Sequence, residues 1–107
     1  MGVTVTKRFL EPYLDTMANG QMCLRLAAET TWAEFDQVAP LVIRALNATL
    51  GEKLDGVDVR LWEADIDDTP FYVAWDHWMG PSLEPRDAQA SEAMPALKKR
   101  LQALPIP

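Results

Sequence analysis

The chain has 107 residues, a net charge of −6, and 49% hydrophobic and 24% charged residues, a composition typical of one globular domain. No apolar run reaches the about 18–20 residues that would cross a membrane, and no leader pattern is visible, so we expect one cytoplasmic domain over residues 1–107. A single cysteine and a single histidine exclude an internal disulfide and a multi-histidine metal site, and we expect neither metal nor cofactor. Because an acidic chain repels phosphates, we expect neither nucleic acid nor a membrane as a partner, whereas a basic protein would be attracted.

Residues 1–20 allow two interpretations. Alternating valine and threonine at positions 3–6 predict a short strand. Further on, Asn19-Gly20 predicts a hairpin turn between two extended segments. The alternative is a short helix that begins at Pro12 and ends at the same glycine. We favour the hairpin, although the sequence leaves both open.

A helix over residues 32–50 is the clearest element. Thr31 and Glu34 have the spacing of a capping box, in which a hydroxyl and a carboxylate each accept a backbone N–H at the helix start. Apolar residues then recur at steps of three and four up to Leu50. Gly51 follows and would provide a left-handed stop. A second amphipathic helix is predicted over residues 88–104, after a polar connection.

Alternation of apolar and polar residues predicts a strand over residues 21–28 and, later, a hairpin with strands that start at Val57 and Phe71. The apolar residues assigned to the core are odd-numbered on both hairpin strands, so the numbers of cross-strand partners must add up to an even value. A three-residue loop over 67–69 satisfies this condition.

That register has a specific consequence for the polar residues of the hairpin. It places Arg60 opposite Asp76, and Trp62 opposite Ala74, on the face of the sheet away from the helices. An Arg/Asp pair at facing positions contributes about 0.2–1 kcal/mol, which agrees with the register.

These elements predict an α+β fold in the order β-α-β-β-α, with room for an extra N-terminal strand. We expect a two-layer sandwich in which a mainly antiparallel sheet carries both helices on one face. The predicted core consists of apolar residues from every element: Leu24, Leu26, Phe35, Val38, Val42, Leu46, Val59, Leu61, Phe71, Val73, Leu97 and Leu101.

The candidate binding residues lie on the outer face that this register creates. Large aromatic side chains on an outer face are costly unless something covers them. Residues 1–20 or the 79–90 connection could cover them, as could a partner or second copy, or a planar ligand such as a sugar. The candidate partner-binding residues are Arg60, Trp62, Tyr72, Asp76 and Trp78.

Catalysis has weak support in the sequence. Asp76 and His77 are adjacent on a strand, so they point to opposite faces and cannot act as a base and its orienting group. Cys23 has no visible activating neighbour. His77 shares the parity of the apolar core residues, so we expect it at the end of the core. The acids at positions 65, 67 and 68 lack the glycine and the distant glutamate of a calcium loop.

The sequence therefore favours a non-enzymatic protein-binding module that uses an acidic, tryptophan-bearing sheet face, in the manner of an immunity or adaptor protein. Its partner would be a basic protein or a second copy of the chain. The alternative is a small-ligand or carbohydrate-binding domain on the same aromatic residues. A small enzyme that uses His77 is the third hypothesis.

Overall fold

The computed structural model describes residues 11–27 and 31–103. Within these ranges the elements are β1 (Tyr13–Thr16), β2 (Met22–Arg25), α1 (Trp32–Ala45), β3 (Thr49–Asp55), β4 (Val59–Ile66), β5 (Thr69–Asp76), β6 (Gly80–Pro85) and α2 (Ala88–Gln102). The strands form one six-stranded sheet in the order β1-β2-β6-β5-β4-β3, and all neighbours are antiparallel. The predicted α+β class is confirmed.

The first two strands form the hairpin that Asn19-Gly20 predicted, and the alternative of a short helix from Pro12 is wrong. Met17 N donates to the carbonyl oxygen of Gln21 at 2.8 Å, which closes the turn. Gly20 has φ of 87°, a left-handed conformation that glycine adopts at little cost. The strand predicted at positions 3–6 lies outside the described residues.

Helix α1 begins as predicted and ends earlier than predicted. Both capping-box hydrogen bonds are present: Glu34 N donates to Thr31 Oγ1 at 3.1 Å, and Thr31 N donates to Glu34 Oε1 at 2.8 Å. The helix stops at Ala45, because Asn47 adopts a left-handed φ of 53° and takes the role expected of Gly51. Gly51 instead lies inside strand β3.

Strands β3 and β6 are absent from the predicted order β-α-β-β-α. Strand β3 lies at the edge of the sheet and every one of its residues is exposed. Its sequence therefore lacks the alternation of apolar and polar residues by which a strand is predicted. Strand β6 lies between β2 and β5 but carries Pro81 and Pro85, a residue type that argues against a central strand. The partners of β2 on β6 are Leu83 and Ser82. Pro81 lacks an N–H to donate, but its carbonyl oxygen accepts a hydrogen bond from Leu26 N at 3.0 Å.

The predicted register of the β4–β5 hairpin is wrong. Its turn contains two residues, Asp67 and Asp68, with φ of 52° and 63°. Two successive left-handed residues are the signature of the two-residue hairpin turn whose twist matches that of the strands. Arg60 consequently pairs with Trp75 rather than Asp76, and all partner numbers add up to 135.

Because side chains alternate along a strand, this shift of one residue reverses the two faces of β4. Trp62, Ala64 and Ile66 are buried in the core. Val59 is 39% exposed and Leu61 is half-buried, so their predicted place in the core is wrong. The other predicted core residues are confirmed as buried: Leu24, Leu26, Phe35, Val38, Val42, Leu46, Phe71, Val73, Leu97 and Leu101.

Helix α2 is tied to the rest of the fold near both ends. Met22 N donates to Ser91 Oγ at 2.8 Å, which joins the first turns of α2 to the start of β2. In the last turns, Arg100 donates to the carbonyl oxygen of Leu46 at 3.1 Å and pairs with Asp67 at 3.0 Å. Both helices contribute side chains to a single hydrophobic core.

Candidate functional site

The five residues predicted to form one binding face lie in three different places. Arg60 and Trp62 are on the core side of β4 and are buried. Tyr72 and Asp76 lie on the opposite side of β5, which we call the outer face, and are half-buried. Trp78 lies in the turn between β5 and β6 and is 73% exposed. The premise of a continuous tryptophan-bearing sheet face is therefore wrong.

Arg60 is a buried cation that joins β4 to β3 and to α1. Its Nε donates to Oδ1 of Asp55 at 2.8 Å, and its Nη2 donates to Oδ1 of Asp36 at 2.9 Å. Its Nη1 donates to the carbonyl oxygen of Trp32, also at 2.9 Å. One guanidinium thus fixes the position of the helix start relative to the edge strand.

Three aromatic rings surround the same guanidinium. Its carbon lies 4.5 Å from the ring centroid of Trp32, 4.8 Å from that of Phe35 and 5.3 Å from that of Trp62. Trp62 Nε1 also donates to Asp55 Oδ1 at 3.0 Å. The hydrogen bond from Arg60 holds the pKa of Asp55 below its ordinary value, and the Trp62 indole acts in the same direction. Because the guanidinium is bound by groups of the chain itself, we interpret this cluster as structural.

A pocket opens where this cluster meets the turns at one end of the sheet. His77 N donates to the carbonyl oxygen of Asp58 at 3.1 Å, which links the β5–β6 turn to the β3–β4 turn. The pocket has a volume of about 650 Å³. Its walls include Trp32, Trp75, Trp78, His77, Glu34 and Asp58. We call the rim and walls of this pocket the turn-end surface.

The tryptophans of the pocket are held at different depths. Trp75 is buried and meets Trp32 edge to face, with 5.7 Å between ring centroids. Trp32 is 37% exposed although Arg60 lies over its ring. Trp78 packs edge to face against His77, with centroids 5.5 Å apart, and is otherwise largely in solvent. The pocket therefore has one packed wall, formed by Trp75 and Trp32, and is open on the Trp78 side.

The turn that carries Trp78 is fixed by a side chain rather than by burial. Asp76 Oδ1 accepts hydrogen bonds from Trp78 N at 2.9 Å and from Met79 N at 2.6 Å. Asp76 thus acts as a turn-forming residue of the kind that aspartate commonly provides. His77, the next residue in the chain, is exposed, so the prediction that it lies at the end of the core is wrong.

The outer face carries a second polar cluster, on β1, β2 and β6. Arg25 Nε pairs with Asp15 Oδ2 at 3.1 Å, and this hydrogen bond lowers the pKa of Asp15. Ser82 Oγ donates to Glu84 Oε2 at 3.3 Å, yet burial raises the pKa of Glu84. Burial also raises the pKa of Cys23, which disfavours the reactive thiolate. This chemistry gives no support to Cys23 as a nucleophile.

The described residues contain no group of three or more histidine, cysteine, aspartate and glutamate side chains arranged to hold a metal ion. No helix in the described part of the chain has the length and apolar character needed to cross a membrane.

Residues 13–96 match the family described as "Protein of unknown function (DUF3630)", and the chain belongs to this family. No curated protein and no solved structure matches the chain.

Sequence reasoning missed Trp32, Trp75 and Asp58 as members of a site. Trp75 is absent from the predicted core, yet it is buried there and also lines the pocket. Recognition of β3 would have placed Asp58 near Trp78, since up-and-down strands place the β3–β4 and β5–β6 turns at the same end of a sheet. It would not have placed Trp32, which lies on α1.

We predict that Arg60→Met destabilises the fold by about 1–3 kcal/mol, the loss expected when hydrogen bonds of a charged group are removed. The change keeps most of the apolar stem but removes the bonds from the guanidinium to Asp55, Asp36 and the Trp32 carbonyl. Arg86→Met is the matched control, since Arg86 is a partly exposed arginine that pairs with Glu63 at 3.5 Å. Such surface pairs contribute about 0–1 kcal/mol. Urea unfolding of both variants measures the difference, and equal losses would contradict a structural role for Arg60.

Glu84 should make stability depend on pH in the direction opposite to a salt-bridged acid. Its pKa is raised in the folded state, so folding is favoured while it is protonated and loses that contribution as pH rises through the folded pKa. We therefore expect Glu84→Gln to be more stable than the wild type at about pH 7, with a smaller difference near pH 4. Urea melts at both pH values test this; a glutamine variant less stable at pH 7 would show that Arg25 stabilises the carboxylate instead.

Proposed function

We propose that the chain is a non-enzymatic protein-binding module and that the turn-end surface is where its partner binds. The observation that carries the proposal is the pocket of about 650 Å³, with three tryptophans in its walls and Trp78 73% exposed at its mouth. Tryptophan is among the residues most often found at the energetic centre of protein interfaces. The proposal keeps the predicted function and moves the site from the sheet face to the turns.

Exposed apolar side chains around the pocket extend the surface that a partner could cover. Val57 is 90% exposed in the β3–β4 turn, and Met79 is 46% exposed beside Trp78. Complete burial of a tryptophan removes roughly 150–250 Å² from water, which at ~25 cal/mol per Å² corresponds to several kcal/mol before the cost of association. Trp78 thus has enough unburied area to serve as an anchor.

The charge of the chain favours a basic protein as the partner. The net charge is −6, and Glu34 and Asp58 lie in the walls of the pocket. A negative face accelerates the approach of a positive partner and repels nucleic acid. An immunity- or adaptor-like role, in which this cytoplasmic domain masks or docks a basic protein, fits these properties.

The proposed architecture is a two-layer sandwich with α1 and α2 on the same face of the sheet. Their contact with each other and their shared core support this arrangement. In it, the turn-end surface lies at an edge between the two layers, where a partner would touch both the helix start and the turns.

A small ligand or a carbohydrate is the second candidate. The volume of the pocket falls within the range of about 300–1,000 Å³ that is common for small-molecule sites. A sugar ring could stack on Trp78, and such stacking would change little with ionic strength, in contrast to steered association with a basic protein.

The test compares proteins captured from a lysate of the source organism by the immobilised wild type, Trp78→Ser and Leu54→Ser. Leu54 is the matched control, an apolar residue that is 64% exposed on β3 and does not line the pocket. We expect a basic protein that the wild type and Leu54→Ser retain and that Trp78→Ser loses by at least about tenfold, as for a binding hot spot. Retention should also weaken as salt rises.

Sedimentation of the same three variants distinguishes a second copy from a different protein. A wild-type dimer that Trp78→Ser abolishes and Leu54→Ser preserves would identify the partner as another copy of the chain. If no captured protein and no self-association depends on Trp78, the proposed function is wrong.

A further inference from the structure

We infer that the pocket of the turn-end surface accepts a cationic side chain, arginine or lysine, from the partner. The inference rests on the proposed function and deepens it, since it names the chemical group that enters the pocket. It follows from two properties of the walls, their aromatic rings and the sign of their charge.

The aromatic walls provide the faces and edges of three indoles. Trp32 and Trp75 stand nearly perpendicular to each other, with an interplanar angle of 82°, and Trp78 completes the mouth of the pocket. Indole is the ring on which cations bind best, and such contacts strengthen when water is excluded. Within the same chain, Lys53 lies over Trp62 at 4.1 Å and Arg60 over Trp32 at 4.5 Å, so indoles of this fold already hold cations, one of them on a ring that lines the pocket.

The walls of the pocket carry carboxylates and, among the described lining residues, no lysine or arginine. The carboxylates are those of Glu34 and Asp58, and His77 lies beside them. The nearest buried cation, Arg60, is paired with Asp36 at 2.9 Å and Asp55 at 2.8 Å. A guest with a positive charge therefore meets a net negative surround.

An anion is disfavoured even though the start of α1 borders the pocket. A helix start attracts anions through its unpaired N–H groups. Here Thr31 N is taken by the Glu34 carboxylate at 2.8 Å, and Glu34 N is taken by the Thr31 hydroxyl at 3.1 Å. The chain supplies its own negative group at that position, and a second one would be repelled by it.

In the test, the ¹⁵N-labelled 107-residue chain is titrated with N-acetyl-arginine amide and with N-acetyl-citrulline amide, a neutral probe of nearly the same shape. Binding is followed by the indole N–H signals of Trp32 and Trp78. We expect the arginine probe to shift both signals and to bind about tenfold more tightly than the citrulline probe, a ratio that corresponds to about 1.4 kcal/mol. The lysine amide should behave like the arginine probe.

Charge variants separate a local effect from the overall acidity of the chain. Asp58→Asn should weaken binding of the arginine probe several-fold, whereas Asp65→Asn changes the net charge equally and should not, because Asp65 lies at the other end of β4 beside the β4–β5 turn. Methyl glucoside serves as the carbohydrate probe. If it shifts the Trp78 signal while the arginine probe does not, the pocket is a sugar site and the inference is wrong.

Equal affinity for the arginine and citrulline probes, or no shift with either, would also overturn the inference. These outcomes are independent of the capture experiment. If Trp78→Ser loses a captured partner but the pocket shows no preference for cations, the protein-binding function stands and the cation inference is wrong. If the pocket binds cations but no partner is captured, the protein-binding function is wrong and the cation site stands.

Discussion

The backbone conformation of two aspartates determines which side chains of β4 face the core. Asp67 and Asp68 both adopt left-handed backbone conformations, with φ of 52° and 63°, and so close the β4–β5 hairpin with two residues. A two-residue turn fixes the register, and a change of one residue would exchange the two faces of a strand. Trp62 and Ile66 are therefore in the core, while Val59 remains 39% exposed.

The register also places a charged side chain in the interior. Arg60 is 4% exposed, and its donors reach Asp55 on β3, Asp36 on α1 and the backbone of Trp32. A buried ion pair adds little net stability compared with apolar packing, but loss of one partner is costly. The partners of Arg60 lie on two different elements, β3 and α1. We therefore regard Arg60 as the group that fixes where α1 starts against the sheet.

The position of the pocket follows from that attachment. Trp32 is the first residue of α1, and Arg60 holds both its backbone and one side of its ring. Trp75, the cross-strand partner of Arg60, meets Trp32 from the sheet. Trp78 then extends beyond the sheet on a turn that Asp76 stabilises. The binding surface that we propose is thus assembled by residues whose main contacts are structural.

Local signals in the sequence predicted those parts of the fold that depend on neighbouring residues. The capping box at Thr31 and the turn at Gly20 each require only a few adjacent side chains, and both are present. The β4 register could not be predicted in this way, since Val59 and Leu61 on one parity compete with Trp62, Ala64 and Ile66 on the other.

The turn itself gave no clear signal. Aspartate tolerates left-handed conformations, but the sequence lacks the glycine that usually marks a two-residue hairpin. The burial of Arg60 could not be predicted either, because it requires a nearby carboxylate. That carboxylate belongs to Asp55 on β3, a strand that the alternation of apolar and polar residues does not predict. Because the register and strand β3 were predicted wrongly, the predicted site included Trp78 but not Trp32 or Trp75.

Interstrand backbone NOEs across β4 and β5 test the register most directly, since both the buried Arg60 cluster and the position of the pocket depend on it. We expect NOEs that pair Trp62 with Val73 and Arg60 with Trp75. NOEs that pair Trp62 with Ala74 and Arg60 with Asp76 would return Arg60 to the outer face and contradict the structural basis of the proposed site.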